Sequence, residues 1–173
     1  MDFIVDCLPM DFPLLPYPRQ EQIIEMDRAV FGSGRSWGRD NFAFALADKA
    51  AFSFFAQHQA DLVGYAVAFR PTSVGEPWVH LSRLASHPSF RGQGIGKHLM
   101  EALFSAAQSN SIQKITVEVD EHQAQAVEFY LNLGFRALGP ENGLLAYLES
   151  KGKQNRIQRY LSGAQCAFIK ELK

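Results

Sequence analysis

Apolar positions repeat with a helical period in several segments of the chain. In residues 19–31 the apolar residues at this spacing are Ile23, Ile24, Ala29 and Val30. Gly32 and Gly34 follow them and predict the end of that helix. Similar patterns predict helices over about 38–49, from the glycine-rich stretch to about 110, over 122–134, and over 141–152 as a short insert.

Segments rich in aromatic and branched residues predict the strands. They lie at 3–7, 51–57, 61–70, 78–86 and 112–120, with a further strand beginning at Phe135 and two closing strands about a Ser162–Gly163 turn. A short polar turn between 51–57 and 61–70 predicts an antiparallel pair. The helix between 78–86 and 112–120 permits a parallel crossover.

This order of elements predicts a mixed α/β (α+β) fold, with helices packed on a largely antiparallel sheet. The length of 173 residues suits one domain, spanning residues 1–173. A chain of this length can bury a sizeable apolar core.

Composition and charge exclude several classes of protein. With 17 basic and 18 acidic residues, no bulk charge draws the chain to nucleic acid or an anionic membrane. No apolar run reaches membrane-spanning length, and the N-terminal segment lacks the features of a signal peptide. Cys7 and Cys166 form no CxxC pair, so we expect packing roles, no metal site and a reduced, cytoplasmic setting.

The stretch "HPSFRGQGIGKHLM", residues 87–100, places three glycines directly before a predicted helix. A helix N-terminus carries unpaired N–H groups, and glycine lets a backbone approach an anion closely. The amides of residues 92–97 are therefore candidates to bind a pyrophosphate, with Arg91 and Lys97 adding positive charge. The alternative is a plain strand-to-helix turn in which glycine only relieves strain.

Two familiar phosphate motifs do not fit this stretch. Lys97 occupies the place of the third glycine in a dinucleotide fingerprint. Arg91 replaces the first glycine of a P-loop, and His98 replaces its hydroxyl residue. A phosphate site here is therefore of another type.

Two motifs carry a family resemblance. "LASHPSFRGQGIGKHLM" resembles the acetyl-CoA signature [RQ]-x-x-G-x-[GA] of the GNAT (Gcn5-related N-acetyltransferase) superfamily, which Arg91, Gly94 and Gly96 match. "AVEFYLNLGF" resembles the second signature of the family, and "RYLSGAQCAFIKEL" is similar to its closing hairpin. The resemblance covers most of residues 62–173.

The resemblance implies a twisted sheet whose fourth strand, about 78–86, splays from the fifth and holds the pantetheine arm of acetyl-CoA between them. Backbone groups of the strand would pair with that arm as an added strand does, at Leu84, Ala85 and Ser86. The implied cofactor loop consists of Arg91, Gly92, Gln93, Gly94, Ile95, Gly96 and Lys97. Many family members have an asparagine where this chain has Gln123, which we keep as a further cofactor candidate. Acetyl-CoA would be a cosubstrate, with no metal.

The resemblance also implies an N-acetyltransferase that works by direct attack of a primary amine in a ternary complex. Tyr130 matches the tyrosine that donates a proton to the leaving thiolate, and a backbone N–H near Leu84 would stabilise the oxyanion. His80 and Glu118 are candidate bases, and Tyr130 is also a candidate cofactor contact. The alternatives are a core aromatic for Tyr130, a strand histidine bound to a neighbour for His80, and a non-catalytic CoA-binding or regulatory module for the whole chain.

The acceptor amine is not identified by the sequence. It would be a small molecule or an amine of a peptide or protein, bound by a monomer or homodimer. Specificity would come from the first two helices and the insert at 141–152, whose aromatic residues include Phe31, Trp37, Phe42, Phe44 and Tyr147.

Overall fold

The structure is a computed structural model, and it describes residues 6–47, 51–70, 78–120, 122–137 and 165–172. The predicted helical insert at 141–152, with Tyr147, lies outside these residues. The predicted Ser162–Gly163 turn and the strand before it also lie outside them.

The described residues form four helices and seven strands. The helices are α1 (Tyr17–Phe31), α2 (Arg39–Leu46), α3 (Ile95–Ser109) and α4 (Ala124–Asn132). The strands are β1 (Asp6–Pro9), β2 (Ala51–His58), β3 (Asp61–Phe69), β4 (Trp78–Ser86), β5 (Lys114–Asp120), β6 (Arg136–Ala137) and β7 (Gln165–Glu171). Short 3₁₀ helices occupy Phe12–Leu14 and Pro88–Phe90.

The strands form one sheet in the order β1-β2-β3-β4-β5-β7-β6. The β1–β2, β2–β3, β5–β7 and β6–β7 pairs are antiparallel, whereas β4 and β5 are parallel. The parallel pair follows from the connection, because α3 carries the chain from β4 back to the start of β5. This topology confirms the predicted mixed α/β fold and the parallel crossover.

The chain divides into two compact units, Met1–Arg70 with Ser82–Ser109 and Pro71–Leu81 with Asn110–Lys173. The division falls inside β4, between Leu81 and Ser82. A single domain over residues 1–173 stays a prediction.

In the first unit, α1 and α2 contribute to an apolar core shared with β2 and β3. The core residues are Met10, Phe12, Ile23, Ile24, Met26, Phe42, Leu46, Phe55, Leu62, Tyr65, Val67 and Ala85. Pro18 lies in the first turn of α1, where its missing N–H costs no helical hydrogen bond, and Gly32 ends the helix with φ +73°. Ala29 is exposed, contrary to the predicted apolar face, because Met26 and Asp27 take the buried positions instead.

Gly64 in β3 allows α3 to approach the sheet closely. A Cβ atom at Gly64 would lie 2.6 Å from Cγ2 of Ile95 and 2.8 Å from the carbonyl oxygen of Ala85, both too short for real contacts. Ile95 is the first residue of α3, and its side chain is buried together with that of Leu99. The missing side chain at Gly64 therefore fixes where α3 begins relative to β3 and β4.

The second unit is built on the β4–β5 and β5–β7 pairs. Residues of β4 and β5 pair from Trp78↔Lys114 to Leu81↔Val117. The inward residues of β5 alternate as Ile115, Val117 and Val119, and Thr116 is buried as well. The strand begins at Lys114 rather than Ile112, and β6 begins at Arg136 rather than Phe135, so the pattern predicted these strands with small boundary errors.

Candidate active site

The loop between β4 and α3 is shaped by local hydrogen bonds. The N–H of His87 donates to the carbonyl oxygen of Val63 at 2.8 Å, which holds the end of β4 to β3. The His87 ring then accepts a hydrogen bond from the Ser89 N–H at 3.2 Å, capping the 3₁₀ turn of Pro88–Phe90. Arg91 follows this turn, is exposed, and directly precedes Gly92.

Two of the three glycines adopt a backbone conformation that other residues avoid. Gly92 has φ +77° and Gly94 has φ +79°, both in the left-handed region. Gly96 lies inside the first turn of α3 with no such requirement. Residues Arg91 to Gly94 are exposed, whereas the side chain of Ile95 is buried and fixes the helix that follows.

The start of α3 presents N–H groups that fit a phosphate. The first bond of the helix runs from the His98 N–H to the carbonyl oxygen of Gly94 at 3.0 Å, so the amides of Ile95, Gly96 and Lys97 precede it. Lys97 is exposed, and its Nζ lies 3.8 Å from a carboxylate oxygen of Glu101 one turn later. The N-terminus of this 15-residue helix therefore lies beside two exposed cations, Arg91 and Lys97, a combination that favours an anion.

The second half of β4 supplies the residues predicted to pair with pantetheine. Ala85 is buried with its side chain in the core, and Leu84 and Ser86 are half-buried. β4 and β5 pair as far as Leu81↔Val117. β4 itself continues to Ser86, and β5 continues to Asp120.

Tyr130 is the buried residue of α4. Its ring makes edge contacts with Phe129 and Phe135, at centroid distances of 5.1 Å and 5.3 Å. Burial raises the pKa of the Tyr130 phenol above its ordinary value, because the phenolate loses solvation.

The two candidate bases lie on one face of the β4–β5 pair. His80 is buried with 1% exposure, and its Nδ1 lies 3.0 Å from Oγ1 of Thr116 on β5. Glu118 follows Thr116 by two positions, so its side chain is on the same face of β5 and is half-buried. The alternative to a catalytic role for His80 is a strand histidine bonded to a neighbour. Its contact with Thr116 agrees with that alternative, and the contact alone does not identify the base.

Gln123 lies at the N-terminal end of α4. Its carbonyl oxygen accepts hydrogen bonds from the N–H groups of Ala126 at 2.9 Å and Val127 at 3.0 Å, while its side chain makes no capping bond. The residue is exposed, so its amide is accessible to a ligand. Its role toward the cofactor stays a prediction.

The aromatic residues predicted near the acceptor have different environments. Phe42 is fully buried and packs against Phe12 at 5.2 Å and Tyr65 at 5.6 Å, so it is a core residue. Phe31 and Trp37 are half-buried at the junction of α1 and α2, and Phe44 is 87% exposed.

The sequence analysis missed a buried charged pair. Asp27 on α1 is fully buried and lies 2.8 Å from Nη1 of Arg83 on β4. The available signal was positional, since Asp27 falls three or four residues after the buried Ile23 and Ile24, on the apolar face of the helix. An aspartate there requires a buried partner, although the sequence does not say which one.

Two further features concern only the part of the chain that the structure describes. No helix there combines the length and the apolar character needed to cross a membrane. Those same residues contain no cluster of three or more His, Cys, Asp or Glu side chains that could hold a metal ion.

The sequence matches the model of the Acetyltransferase (GNAT) family over residues 15–135. The chain belongs to the GNAT acetyltransferase family. The matched range contains β4, the glycine loop, α3 and Tyr130, so the predicted family is confirmed. Membership supports an acyl-transferring enzyme.

One curated relative of this GNAT chain is the peptidyl-lysine N-acetyltransferase YjaB of Salmonella typhimurium. The two are 40% identical over 60 residues, which is 35% of this chain and 38% of that relative. The chain thus spans well under two thirds of that relative's length.

Two solved structures resemble the fold of this GNAT chain. The ribosomal-protein-S18-alanine N-acetyltransferase from Escherichia coli has a TM-score of 0.69 at 16% identity, over 98% of this chain and 95% of that chain. The PaiA N-acetyltransferase from Thermoplasma acidophilum, in complex with coenzyme A, has a TM-score of 0.69 at 13% identity, over 97% and 99% of the two chains. At these identities the likeness shows the fold.

Proposed function

We propose that this protein is an N-acetyltransferase that moves the acetyl group of acetyl-CoA to a primary amine, by direct attack in a ternary complex. The observation that carries the proposal is the exposed loop before α3, with positive φ at Gly92 and Gly94, in a chain of the GNAT family. The family relatives named as N-acetyltransferases support the choice of nitrogen as the acceptor atom.

The loop would bind the pyrophosphate of acetyl-CoA. The amides of Gly92 to Lys97 would donate hydrogen bonds to phosphate oxygens, and the positive end of the α3 dipole would favour their charge. Arg91 and Lys97 are exposed and would add charge-assisted bonds. The side chain of Ile95 is buried and the two glycines have none, so Ile95, Gly94 and Gly96 would act through the backbone. Gln93 would do the same.

The pantetheine arm would pair with the second half of β4. Its amide groups would take the hydrogen bonds that a neighbouring strand makes, using the backbone of Leu84, Ala85 and Ser86. The last residue pair between β4 and β5 is Leu81↔Val117, which comes before this segment of β4. Gln123 would add an exposed side-chain amide as a further contact with the cofactor.

The reaction forms a C–N bond and breaks a C–S bond. The lone pair of the neutral amine attacks the thioester carbonyl carbon, and a backbone N–H near Leu84 stabilises the oxyanion that develops. Collapse of the tetrahedral intermediate expels the CoA thiolate. The proton lost by the amine goes to the base, and a proton from the acid goes to the thiolate, so the products are an amide and free CoA.

Tyr130 is the acid in this proposal. The phenol is protonated at neutral pH, because the ordinary pKa of a tyrosine is about 10 and burial raises the pKa of Tyr130 further. The thiolate needs the proton only as the C–S bond breaks, which makes the hydroxyl a transition-state contact rather than a binding contact.

The base is His80 or Glu118. An imidazole titrates near neutrality, which suits proton abstraction at physiological pH. Glu118 is less buried than His80 and would act through water. Their common face on the β4–β5 pair means that either residue would serve the same reacting amine.

The test is release of free thiol from acetyl-CoA in the presence of an amine panel. The panel contains a blocked lysine peptide, a peptide with N-terminal alanine, spermidine and phenethylamine, and mass spectrometry of the amine verifies the added acetyl group. We expect amine-dependent thiol release with one class of acceptor. A protein that is stabilised by CoA in a thermal shift assay but releases no thiol with any amine would instead be a non-catalytic CoA-binding module.

A further inference from the structure

A buried charged cluster joins α1, β3, β4 and the connection between α1 and α2, residues 32–38. Asp27 has no exposed surface, and its carboxylate accepts hydrogen bonds from the Tyr65 hydroxyl and the Trp37 backbone N–H. The same carboxylate accepts a bond from Nη1 of Arg83 at 2.8 Å. All of these residues belong to the first compact unit.

The Arg83 guanidinium contacts the connection through its faces and its edge. Its Cζ atom lies 4.2 Å from the centroid of the Phe31 ring and 4.5 Å from that of the Trp37 ring. Its Nη2 donates to the carbonyl oxygen of Arg35. One side chain on β4 therefore contacts the last residue of α1 and two residues of the connection.

Two backbone groups of the connection, at Arg35 and Trp37, bond to this cluster. The first half is held locally, because the carbonyl oxygen of Gly32 accepts from the N–H groups of Arg35 and Ser36. The Trp37 N–H and the Arg35 carbonyl oxygen instead bond to Asp27 and Arg83. Removal of Arg83 would take away the bond to the Arg35 carbonyl oxygen and the guanidinium that holds the Asp27 carboxylate, to which the Trp37 N–H donates.

A buried ion pair is a weak source of stability, because desolvating the two charges offsets much of their attraction. It does impose a defined geometry, and a guanidinium does so more strictly than an ammonium. Its planar fork fixes the directions of its hydrogen bonds, and its flat faces stack between rings. The contacts of Arg83 therefore use the shape of its guanidinium as well as its charge.

Arg83 directly precedes Leu84, Ala85 and Ser86, the segment proposed to pair with pantetheine. We propose that Arg83 is a positioning residue, which holds the 32–38 connection against β4 beside the cofactor segment and thereby shapes the acceptor side of the active site. The inference rests on the proposed function. Arg83 itself is enclosed by the protein's own groups, so it acts through the connection and not by touching the amine.

The main test variant is Arg83→Lys, which keeps the charge but loses the fork and the stacking. The double variant Asp27→Asn with Arg83→Met removes both charges, so neither is left buried alone if the single variant is poorly folded. Arg39→Met is the matched control. Arg39 also pairs with a carboxylate, that of Glu21, and stacks at 4.5 Å on the Tyr17 ring, but it contacts neither β4 nor the connection in these interactions.

The first measurement is hydrogen exchange of the peptide that contains residues 32–38. We expect exchange in this peptide to be about 10-fold faster in Arg83→Lys and in the double variant, and unchanged in Arg39→Met. Unchanged exchange in both Arg83 variants would overturn the inference, whether or not the protein transfers acetyl groups.

The second measurement is steady-state kinetics. The blocked lysine peptide is tried first, and the panel amine with the highest turnover replaces it if that is a different one. We expect KM for the amine to rise about 10-fold in Arg83→Lys, while KM for acetyl-CoA and Kd for CoA change less than 2-fold. An amine KM that is unchanged, or that rises together with KM for acetyl-CoA, overturns the acceptor-side role. Wild-type protein that transfers no acetyl group overturns the proposed function itself, and the acceptor-side role with it.

Discussion

The glycine loop before α3 and the Asp27–Arg83 cluster lie in the same compact unit but are built in opposite ways. The loop is a continuous stretch, exposed from Arg91 to Gly94, and its amides at the start of α3 precede the first helical bond. The cluster joins residues far apart in sequence, is buried, and directs its donors and acceptors at one another.

This difference separates binding from positioning. Groups that face solvent at a helix N-terminus are available to a ligand, so a change there should alter affinity and leave the fold intact. Groups that satisfy each other in the core determine where backbone segments lie, so a change there should alter stability or geometry first. Tyr130 tests the division, because it is buried like the cluster but belongs to a short motif like the loop.

The largest expected effect is that of Tyr130→Phe, which removes the hydroxyl and keeps the ring. Loss of a general acid typically lowers the rate about 100- to 10,000-fold, so we expect that loss in kcat with CoA affinity and Tm nearly preserved. Because burial raises the pKa of this phenol above its ordinary value of about 10, its deprotonation should cause no fall in wild-type kcat below that pH.

Tyr65→Phe is the matched comparison for Tyr130→Phe. It also removes a buried hydroxyl, but one that donates to the Asp27 carboxylate, so Tm should fall while kcat changes far less. Single-turnover rates per folded molecule decide the matter if product release limits turnover. Wild-type single-turnover acetylation by Tyr130→Phe would make Tyr130 a structural residue.

A smaller effect is expected for Gly64→Ala, which changes the packing beside the glycine loop. The added Cβ would overlap Cγ2 of Ile95 and the carbonyl oxygen of Ala85, at 2.6 Å and 2.8 Å. Overpacking of this kind costs about 1–3 kcal/mol, and here it should also weaken CoA binding, because Ala85 precedes the proposed cofactor loop and Ile95 lies within it.

Gly34→Ala is the control, since a Cβ there meets nothing within 4 Å. Chemical denaturation measures the free energy of unfolding, and titration with CoA measures the affinity. A Gly64→Ala variant with wild-type stability and affinity would show that α3 adjusts freely to the extra methyl group, and the positioning role of Gly64 would be lost.

A further comparison concerns the pH profile of kcat/KM for His80→Gln. If His80 is the base, kcat/KM should show an acid limb that is absent in the variant. The same measurement on Glu118→Gln is the comparison. An identical limb in His80→Gln moves the role to Glu118, to water or to the amine itself.

The features that the sequence predicted are those written in short stretches. Richness in aromatic and branched residues identified β2, β3 and β5, helical spacing identified α1 and α4, and the glycines identified the start of α3. The family signature was recognised for the same reason, because the loop and the helix that follows it are continuous in sequence. Boundaries were less accurate where a residue beside the element is also buried, as Ile112 is before β5.

The features that were missed depend on distant residues. Asp27 on α1 and Arg83 on β4 are far apart in the sequence, and only the fold brings them together. Neither position alone determines its partner, because the pairing depends on how α1 packs on the sheet. The same applies to His80, whose contact with Thr116 follows from the register of two parallel strands.

Titration of CoA into three proteins tests the central claim, that the loop before α3 binds the pyrophosphate. Gly94 has φ +79°, so any side chain there is strained, and Gly94→Asn and Gly94→Asp share that strain while only the second adds a negative charge. A carboxylate about 5 Å from a phosphate repels it by roughly 3 kcal/mol at an effective dielectric constant of about 20. We therefore expect Gly94→Asp to bind CoA about 100-fold more weakly than Gly94→Asn, with both proteins folded by circular dichroism. Equal affinity of the two variants for CoA would contradict the account.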